Sequence, residues 1–462
     1  MSHGQLDLHW GHYYEDEIKV QKSYITLTYK IRTKVQSGTL RLSAGANRNR
    51  LATPSINKES RKLRCLKSVE QCFIIFDPPV SNTMIRQSPF LGRFAQISLS
   101  KVRGRCLTTH VASTLQETKH MIRDEEYADI DWNNLGYGII KTDYIYKAKC
   151  TPNNTFEQGQ VSDYENIELS PAAGVLNYGQ GIFEGTKAFR GENGRILLFR
   201  PDQNAIRMQI GAERMCMQSP SFKQFVDAVK QTAIANKRWI PPPGKGSLYI
   251  RPLLIGSGPT LGVSPAPEYT FLVYASPVGN YFKEGTKPLN LYVNTESHRA
   301  TSGGTGGVKS ITNYAPVLKA ISRAKEQGFS DVVYLDSVHK KYIEEASCSN
   351  IFLVKGNVIS TPATIGTILE GITRKSIIDI ARDLGYKVEE RLVAVDELME
   401  ADEIFTTGTA VSVATVGSVT YNDRRVEYKT GDELVSQKLY KTLVGIQVGK
   451  TEDKFNWVVE IK

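Results

Sequence analysis

The sequence contains few of the residue patterns from which metal centres and disulfide frameworks are built. Its six cysteines and seven histidines are scattered over 462 residues, with no C-x-x-C, H-x-x-H or H-E-x-x-H motif. We therefore expect no metal site, and dispersed cysteines of this kind fit a reducing compartment. No apolar run reaches the roughly 18 residues that a membrane-spanning helix requires, so we expect no membrane partner.

The body of the chain also lacks an excess of positive charge. The formal net charge is +10, but residues 1–116 hold 18 Lys and Arg against 7 Asp and Glu, whereas residues 117–462 hold 40 against 41. A groove that follows a nucleic-acid backbone needs clustered basic residues, so we expect no nucleic-acid partner. The hydrophobic content of 40% instead indicates globular domains.

Residues 1–127 are basic, rich in Ser and Thr and weakly patterned, and we expect a disordered leader there. Between residues 84 and 116 there are five basic residues and no Asp or Glu, which is typical of an organellar transit peptide. Because transit peptides are N-terminal, we expect translation to begin at Met84. The expected destination is the mitochondrial matrix, with the chloroplast as second choice. A solvated tail without targeting function is the alternative.

Short strands and helices alternate beyond the leader. An amphipathic helix is predicted from residue 222, because Phe222, Phe225 and Val229 share one face after a capping Ser219 or Ser221. A second helix is predicted over residues 373–384. Runs of β-branched and aromatic residues predict strands at residues 196–199, 269–274, 331–335, 350–354, 358–360 and 387–393.

This mixture lacks a regular strand–helix repeat, which indicates a mixed α/β (α+β) fold. A chain of 462 residues is too long for one ordinary core, so two domains are expected. The boundaries that we predict are a small α/β domain at 128–276, a linker at 277–290, a larger domain at 291–450 and a C-terminal tail at 451–462.

The glycine-rich segment 301–310, TSGGTGGVKS, is the strongest local feature. A phosphate-binding P-loop requires Gly directly before Lys-Ser, but Val308 stands there, which argues against a nucleotide triphosphatase. The second interpretation is a Schiff-base lysine at Lys309, with glycines that let the backbone approach a bulky cofactor. A solvated lysine after a flexible loop is the third.

Further motifs favour the Schiff-base interpretation. They are RPDQNAIRM around Arg207, KSITNY from Lys309 to Tyr314, IEEASCSNIF around Glu345, GITR at residues 371–374 and TGTA at residues 407–410. Together they resemble the fold type IV pyridoxal 5′-phosphate (PLP) enzymes, specifically the plant branched-chain amino acid aminotransferases, over roughly residues 124–450. The resemblance implies a two-domain fold with the cofactor between the domains.

The resemblance also implies the residues that bind PLP. Lys309 is the Schiff-base lysine and Tyr314 contacts the phenolic oxygen. Glu345 keeps the ring nitrogen protonated, so that the ring accepts the substrate's electron pair; the neighbouring Glu344 is expected to be solvated. The implied phosphate contacts are Arg207, Ile372, Thr373 and Thr409.

On the substrate side, the resemblance implies an aromatic pocket with donors at one end. The implied substrate-binding residues are Tyr178, Phe183, Tyr249, Arg251, Tyr281 and Ala410. Tyr249 and Arg251 serve the glutamate co-substrate, which carries a second carboxylate. Leu261 and Val263 match residues that reach over from a partner subunit, so a homodimer is implied.

The implied activity is transfer of an amino group between Leu, Ile or Val and 2-oxoglutarate. Two departures from the family pattern are Glu370, an acid beside the phosphate site, and Cys348, beside the cofactor ring. They leave open a catalytically weak PLP-binding protein. A D-amino acid aminotransferase and an aminodeoxychorismate lyase are the alternatives within the fold, although the Tyr249-x-Arg251 motif argues against both.

Overall fold

The computed structural model describes residues 127–150, 155–279, 281 and 287–462, and within residues 1–126 only the backbone of six strands. The chain divides into two compact units, Met1–Thr109 and His110–Lys462. Among the described residues, no helix is long and apolar enough to cross a membrane. Within the same part of the chain, no group of His, Cys, Asp and Glu side chains is arranged to hold a metal ion.

The first unit contains strands β1 to β6. They are Leu6–Leu8, Glu15–Lys22, Ile25–Gln36, Thr39–Gly45, Cys65–Ser68 and Gln71–Ile74. The first four form an antiparallel sheet in the order β1-β4-β3-β2, and β5 pairs with β6. These strands differ from the irregular leader that we predicted; the sequence of β3, ITLTYKIRTKVQ, alternates apolar and polar residues, which favours a strand. The predicted transit peptide from residue 84 lies outside the described residues.

The second unit contains the remaining described strands and all the described helices. Strands β7 to β23 are Tyr144–Cys150, Gln160–Asp163, Gly181–Phe183, Thr186–Arg190, Ile196–Phe199, Ser247–Gly256, Tyr269–Val278, Leu289–Asn294, Asp331–Leu335, Ile343–Ala346, Asn350–Lys355, Val358–Pro362, Lys387–Arg391, Glu403–Gly408, Ser412–Tyr421, Arg424–Glu427 and Val458–Ile461. Helices α1 to α7 are Gly174–Tyr178, Pro201–Arg214, Phe222–Ala235, Leu318–Glu326, Ile372–Asp383, Val395–Met399 and Val435–Gln447. The mixed α/β class predicted from the sequence is confirmed.

The first large sheet is antiparallel and has the order β23-β11-β10-β12-β13-β7-β8, with β9 paired to β12. Helices α2 and α3 cover it, and Met208 and Phe225 from these helices pack with Ile182 and Phe271 from the strands. The cap predicted for α3 is present, because the Ser221 hydroxyl accepts from the Gln224 amide at 3.1 Å.

The C-terminal segment is part of this first sheet. Strand β23 pairs with β11 in antiparallel register, with Ile196 opposite Ile461. The expectation of a mere tail after the larger domain is therefore wrong for these residues. The cause is local sequence: Val458, Val459 and Ile461 are β-branched residues that suit an edge strand.

The second large sheet is mixed and has the order β16-β15-β14-β21-β20-β17-β18-β19, with β22 paired to β21. Strand β14 is parallel to both neighbours. Helices α5 and α7 pack on this sheet, and Phe352 of β17 lies in a core that also contains Phe189 and Phe199 from the first sheet. That shared core joins the two sheets.

The structure describes the predicted linker at 277–290 only in part. Strand β13 ends at Val278 and β14 begins at Leu289, whereas residues 280 and 282–286 fall outside the described part of the chain. The linker at 277–290 therefore stays a prediction. Where the sheets meet, Ile182 of β9 forms an isolated backbone bridge to Ser310, directly beside the predicted Schiff-base lysine.

Candidate active site

Lys309 lies at the junction of the two sheets, next to Tyr314. A short 3-10 helix, Ile311–Asn313, separates the two residues and brings the Lys309 Nζ within 3.1 Å of the Tyr314 hydroxyl, to which it donates. The same Nζ lies 4.6 Å from the centre of the Phe183 ring. Because the Phe183 amide also donates to the Lys309 carbonyl at 3.2 Å, β9 holds the lysine from the other side.

The glycines before Lys309 have a packing role that we did not predict. A Cβ atom on Gly306 would lie 2.4 Å from the Thr367 carbonyl oxygen, and one on Gly307 would lie 2.8 Å from the Gly366 carbonyl oxygen. These glycines therefore allow close backbone packing against the loop that precedes α5. A P-loop would lead directly into an α-helix, whereas the described residues after this segment form the short 3-10 helix.

Glu345 is a buried carboxylate with one oxygen more engaged than the other. Its Oε1 accepts from Arg299 Nη1 at 2.6 Å and from the Leu369 amide at 3.0 Å, whereas Oε2 has a single long contact, 3.5 Å from Asn350 Nδ2. Burial raises the pKa of the Glu345 carboxyl, and the Arg299 charge and the Leu369 amide oppose that rise. Oε2 is thus the atom left to accept a further hydrogen bond.

Arg299 was not predicted from the sequence. The side chains of Arg299 and Glu345 are 1% and 3% exposed, so the pair is removed from water. The guanidinium also donates from Nε to the Ser347 carbonyl at 3.2 Å, which fixes its orientation. Arg299 stands two residues before the glycine-rich segment, and nothing in that local sequence distinguishes it from a surface arginine.

Glu344 does not have the environment that we predicted. It is 5% exposed rather than solvated, because β16 pairs with β15 on one side and β17 on the other. Its Oε2 is buried and has no hydrogen-bond partner among the described residues. Burial raises the pKa of the Glu344 carboxyl. Both neighbouring carboxylates are therefore enclosed, although they point to opposite faces of the strand.

Three of the four predicted phosphate contacts, Ile372, Thr373 and Thr409, line one pocket, whereas Arg207 is not among its lining residues. Ile372 and Thr373 begin α5, and Gly371 before them supplies no side-chain cap for their amides. Thr409 lies in the tight turn between β20 and β21 and lines the same pocket as these two residues. A helix N-terminus with uncapped amides attracts anions through its dipole and its free N–H donors.

Arg207 is held by an acidic residue that we did not predict. Its Nε and Nη2 donate to the two oxygens of Glu184 at 2.8 and 2.7 Å, and its Nη1 donates to the Glu370 carbonyl at 3.1 Å. Glu184 is fully buried. Glu184 directly follows the predicted pocket residue Phe183 in the sequence, but no local pattern indicates that its partner is Arg207.

Glu370 does not leave an isolated negative charge at the phosphate end. Its carboxylate forms an ion pair with Lys375 Nζ at 2.8 Å. The Lys375 ammonium holds the pKa of the Glu370 carboxyl below its usual value. The expected repulsion of the cofactor is therefore offset by a neighbouring cation.

On the substrate side, aromatic rings surround Arg251. Its guanidinium carbon lies 4.8 Å from the centre of the Phe183 ring, and its Nη2 is 3.5 Å from the Tyr249 hydroxyl. Its Nε is buried and unpartnered among the described residues. The unpredicted Tyr137 packs edge-on against Tyr249 and Tyr281, with ring centres 5.6 and 4.9 Å apart.

The other predicted substrate-binding residues are Tyr281, Ala410 and Tyr178. The Tyr281 hydroxyl lies 3.3 Å from Cys348 Sγ, and the Ala410 carbonyl accepts from Lys187 Nζ at 3.1 Å. Tyr178 lies on α1, and its hydroxyl donates to the carbonyl of Leu261 instead of to a group around Lys309. Leu261 is 93% exposed.

Comparisons with known proteins agree with this geometry. The family model for amino-transferase class IV matches residues 181–419. Branched-chain-amino-acid aminotransferase 2, chloroplastic, of Arabidopsis thaliana is 67% identical over 354 residues, or 76% of this chain and 91% of that protein. Branched-chain amino acid aminotransferase 1, mitochondrial, of Humulus lupulus is 68% identical over 336 residues, covering 73% of this chain and 86% of that protein.

A solved structure also matches this chain. The branched-chain amino acid aminotransferase of Escherichia coli superposes with a TM-score of 0.61 at 27% identity, covering 70% of this chain and 100% of that chain. The match agrees with the two-sheet arrangement. Structures similar to this chain include a branched-chain amino acid aminotransferase with pyridoxamine 5′-phosphate, which agrees with a cofactor of the PLP type.

The fold and the site define a fold type IV, PLP-dependent transaminase. The donor set suits PLP, because a lysine amine suits its aldehyde, a buried carboxylate its ring nitrogen, and uncapped helix amides its phosphate. This chain belongs to the amino-transferase class IV family. The sequence-based expectations of this fold, of transaminase activity and of PLP as cofactor are confirmed.

Proposed function

We propose that this enzyme moves the amino group between the branched-chain L-amino acids Leu, Ile and Val and 2-oxoglutarate, in a ping-pong sequence of two half-reactions. The observation that carries the proposal is the pairing of an aromatic wall with one half-buried cation, Arg251, on the substrate side of Lys309. The names of the two plant relatives support the same substrate class, and give no support to the lyase or the D-amino acid transaminase.

In this proposal three side chains hold the cofactor's ring. Lys309 holds its aldehyde carbon through Nζ, Tyr314 donates to its phenolic oxygen, and Glu345 accepts from its ring nitrogen through Oε2. When bound, PLP supplies a cationic ring that stabilises the electron pair released when the substrate loses its α-proton. Arg299 and the Leu369 amide keep the Glu345 carboxylate in place for that role.

Lys309 Nζ also moves the proton. The amine lies 4.6 and 5.3 Å from the centres of the Phe183 and Tyr314 rings. A neutral amine in this position would take the proton from the substrate's α-carbon and deliver it to the carbon atom on the other side of the transferred nitrogen. The Tyr314 hydroxyl accepts a hydrogen bond from this nitrogen at 3.1 Å. That bond orients the lysine while it is free of other partners.

The substrate side accommodates two kinds of substrate in turn. Phe183, Tyr249 and Tyr281 offer apolar ring surface to a branched side chain. Arg251 pairs with the second carboxylate of glutamate or 2-oxoglutarate, since a half-buried guanidinium whose buried Nε is unsatisfied gains most from an anionic partner. The turn containing Ala410 supplies backbone donors to the α-carboxylate.

A homodimer completes this proposed site. Leu261 and Val263 are 93% and 90% exposed, which is unusual for large apolar residues and suits a surface covered by a second copy. Tyr178 donates to the Leu261 carbonyl, and Leu176 nearby on α1 is also exposed. We infer that Tyr178 accompanies this loop and meets substrate in the partner's site.

The proposed location is the mitochondrial matrix, with the chloroplast as second choice. Relatives of this chain include mitochondrial and chloroplastic enzymes. A fluorescent reporter fused behind residues 84–127 is expected to enter mitochondria, because the inner-membrane potential draws basic presequences inward. Accumulation in plastids would replace this location by the second choice, and a cytosolic reporter would remove the transit-peptide proposal.

Assays of the purified enzyme test the proposed reaction. We expect L-leucine, L-isoleucine and L-valine to be deaminated with 2-oxoglutarate as acceptor, with glutamate formed in equal amount. D-Alanine serves as the matched substrate for the D-amino acid alternative and is expected to give no product. Turnover of D-alanine without turnover of L-leucine would overturn the substrate assignment while leaving the fold and the cofactor in place.

A further inference from the structure

Lys187 is a buried lysine to which the sequence analysis gave no role. It lies on β10, is 8% exposed, and donates from Nζ to the Ala410 carbonyl at 3.1 Å. Burial alone lowers the pKa of its ammonium to about 8. Within the part of the chain that the structure describes, no carboxylate forms an ion pair with it.

The position of Lys187 connects it to the phosphate end of the site. The pocket that contains Ile372, Thr373 and Thr409 is also lined by Lys187, which is the only charged residue among the described residues of its wall. The Ala410 carbonyl that Lys187 binds belongs to the same tight turn as Thr409, between β20 and β21.

The charges around this pocket do not otherwise suffice for a phosphate dianion, which carries roughly two negative charges near neutral pH. The Arg207 guanidinium is engaged by both oxygens of the buried Glu184. The Lys375 ammonium is paired with Glu370. Of these three described cations, Lys187 alone has no acid to neutralise it.

We propose that Lys187 is a cofactor-binding residue that supplies the uncompensated positive charge for the phosphate of PLP, while its bond to Ala410 fixes the turn that carries Thr409. This inference rests on the proposed placement of the cofactor. A buried ammonium with one neutral acceptor is costly to maintain, and an arriving dianion removes that cost. If Lys187 served only to donate a hydrogen bond to the Ala410 carbonyl, it would need no charge, because a neutral amide side chain would serve as donor.

Two ligands, PLP and pyridoxal, and two substitutions of Lys187 distinguish a role of its charge from a role of its hydrogen bond to the Ala410 carbonyl. Pyridoxal has the ring and aldehyde of PLP but no phosphate. Lys187→Gln retains a donor for the Ala410 carbonyl without the charge, whereas Lys187→Arg retains the charge. Binding of PLP and of pyridoxal to the apoenzyme is followed by quenching of tryptophan fluorescence. The control is Lys149→Gln on β7, an exposed lysine with a 3.6 Å contact to Glu268.

We expect Lys187→Gln to weaken PLP binding about tenfold or more, which is the scale of a charge-assisted hydrogen bond. Pyridoxal binding should change less than about twofold, and Lys187→Arg and Lys149→Gln should bind PLP like the wild type. An equal loss for both ligands in Lys187→Gln would show that Lys187 only braces the turn. Unchanged PLP binding would also overturn the inference.

Failure of this inference is distinguishable from failure of the proposed function. A wild-type apoenzyme that binds neither PLP nor pyridoxal would overturn the proposed cofactor site itself. A wild type that binds PLP more tightly than pyridoxal, with Lys187→Gln preserving that preference, would remove only the role of Lys187. If Lys187→Gln does not fold, the Lys187→Arg variant still tests the charge: loss of its preference for PLP would contradict the inference.

Discussion

The two ends of the active site are built differently. At the cofactor end, Glu345 is held by Arg299 and the Leu369 amide before any ligand arrives, and Arg207 is held by Glu184. At the substrate end, Arg251 Nε and the Tyr137 hydroxyl are buried without a partner among the described residues. Most hydrogen bonds of the cofactor end are thus formed in advance, with Lys187 and Glu345 Oε2 left to meet the cofactor, whereas polar groups at the substrate end await their partners.

This contrast suits an enzyme that keeps one cofactor and exchanges two substrates. Groups that hold a resident cofactor gain from fixed hydrogen bonds, since reorganisation at each turnover would cost rate. Groups that meet both an apolar amino acid and a dicarboxylate cannot be fully paired in advance. We therefore expect substitutions at the cofactor end to affect turnover with every substrate, and those at the substrate end to discriminate between substrates.

Lys309→Ala is expected to have the largest effect, because it removes the covalent attachment of the cofactor and the proton-moving amine together. Turnover with leucine and the visible absorbance of the purified enzyme should both be lost. The control is Lys223→Ala, whose exposed side chain pairs with Asp227 on α3 and which should leave the absorbance intact. Full transaminase activity in Lys309→Ala would show that the assigned lysine is wrong.

Glu345→Gln should come next, with turnover reduced about 100-fold for leucine and for glutamate alike. A neutral amide does not stabilise a protonated ring nitrogen, and an effect of a few kcal/mol on the transition state corresponds to this factor. Single-turnover kinetics of each half-reaction measures it.

The matched control is Glu344→Gln, whose side chain points to the opposite face of β16. It should retain turnover within a few fold, because it removes a buried charge that has an unsatisfied oxygen. A crippled Glu344→Gln beside a normal Glu345→Gln would exchange the roles assigned to the two residues.

Arg251→Met tests the substrate end and should discriminate between substrates. The KM for 2-oxoglutarate and glutamate is expected to rise about tenfold or more, because their second carboxylate loses its cation. The KM for leucine should change far less, since its side chain needs no charge. An equal change in both would mean that Arg251 shapes the pocket instead of recognising the dicarboxylate.

The sequence predicted the local elements of this fold well. Strands at residues 196–199 and 331–335 and the Ser221-capped helix α3 are present with nearly the expected bounds, because their periodicity and caps are properties of a short segment. The family resemblance also named Lys309, Tyr314 and Glu345, which the structure brings to one junction.

Partners distant in sequence could not be predicted in the same way. Arg299 lies 46 residues from Glu345, Lys187 lies 223 residues from Ala410, and strand β23 joins a sheet from the far end of the chain. Burial of Glu344 follows from its position between two neighbouring strands, which no local pattern reports. Such contacts depend on topology, so they appear only once the chain is folded.

Tyr137→Phe should have the smallest effect and thereby sharpens the comparison between the two ends. The hydroxyl of Tyr137 is buried without a partner among the described residues, so its removal relieves a desolvation cost and should stabilise the protein by roughly 1 kcal/mol. The ring contacts with Tyr249 and Tyr281 remain, so leucine turnover should stay within about twofold. Thermal unfolding and steady-state kinetics measure the two quantities.

The control is Tyr281→Phe, because that hydroxyl lies 3.3 Å from Cys348 Sγ and its loss breaks a contact. This variant should be no more stable than the wild type, in contrast to Tyr137→Phe. Should Tyr137→Phe instead lower kcat/KM for glutamate and spare leucine, the hydroxyl would be a group that binds the dicarboxylate, and the substrate end would hold one more polar group awaiting its ligand. A loss of stability would mean that the hydroxyl already has a partner in the folded enzyme, and the contrast between the two ends would weaken accordingly.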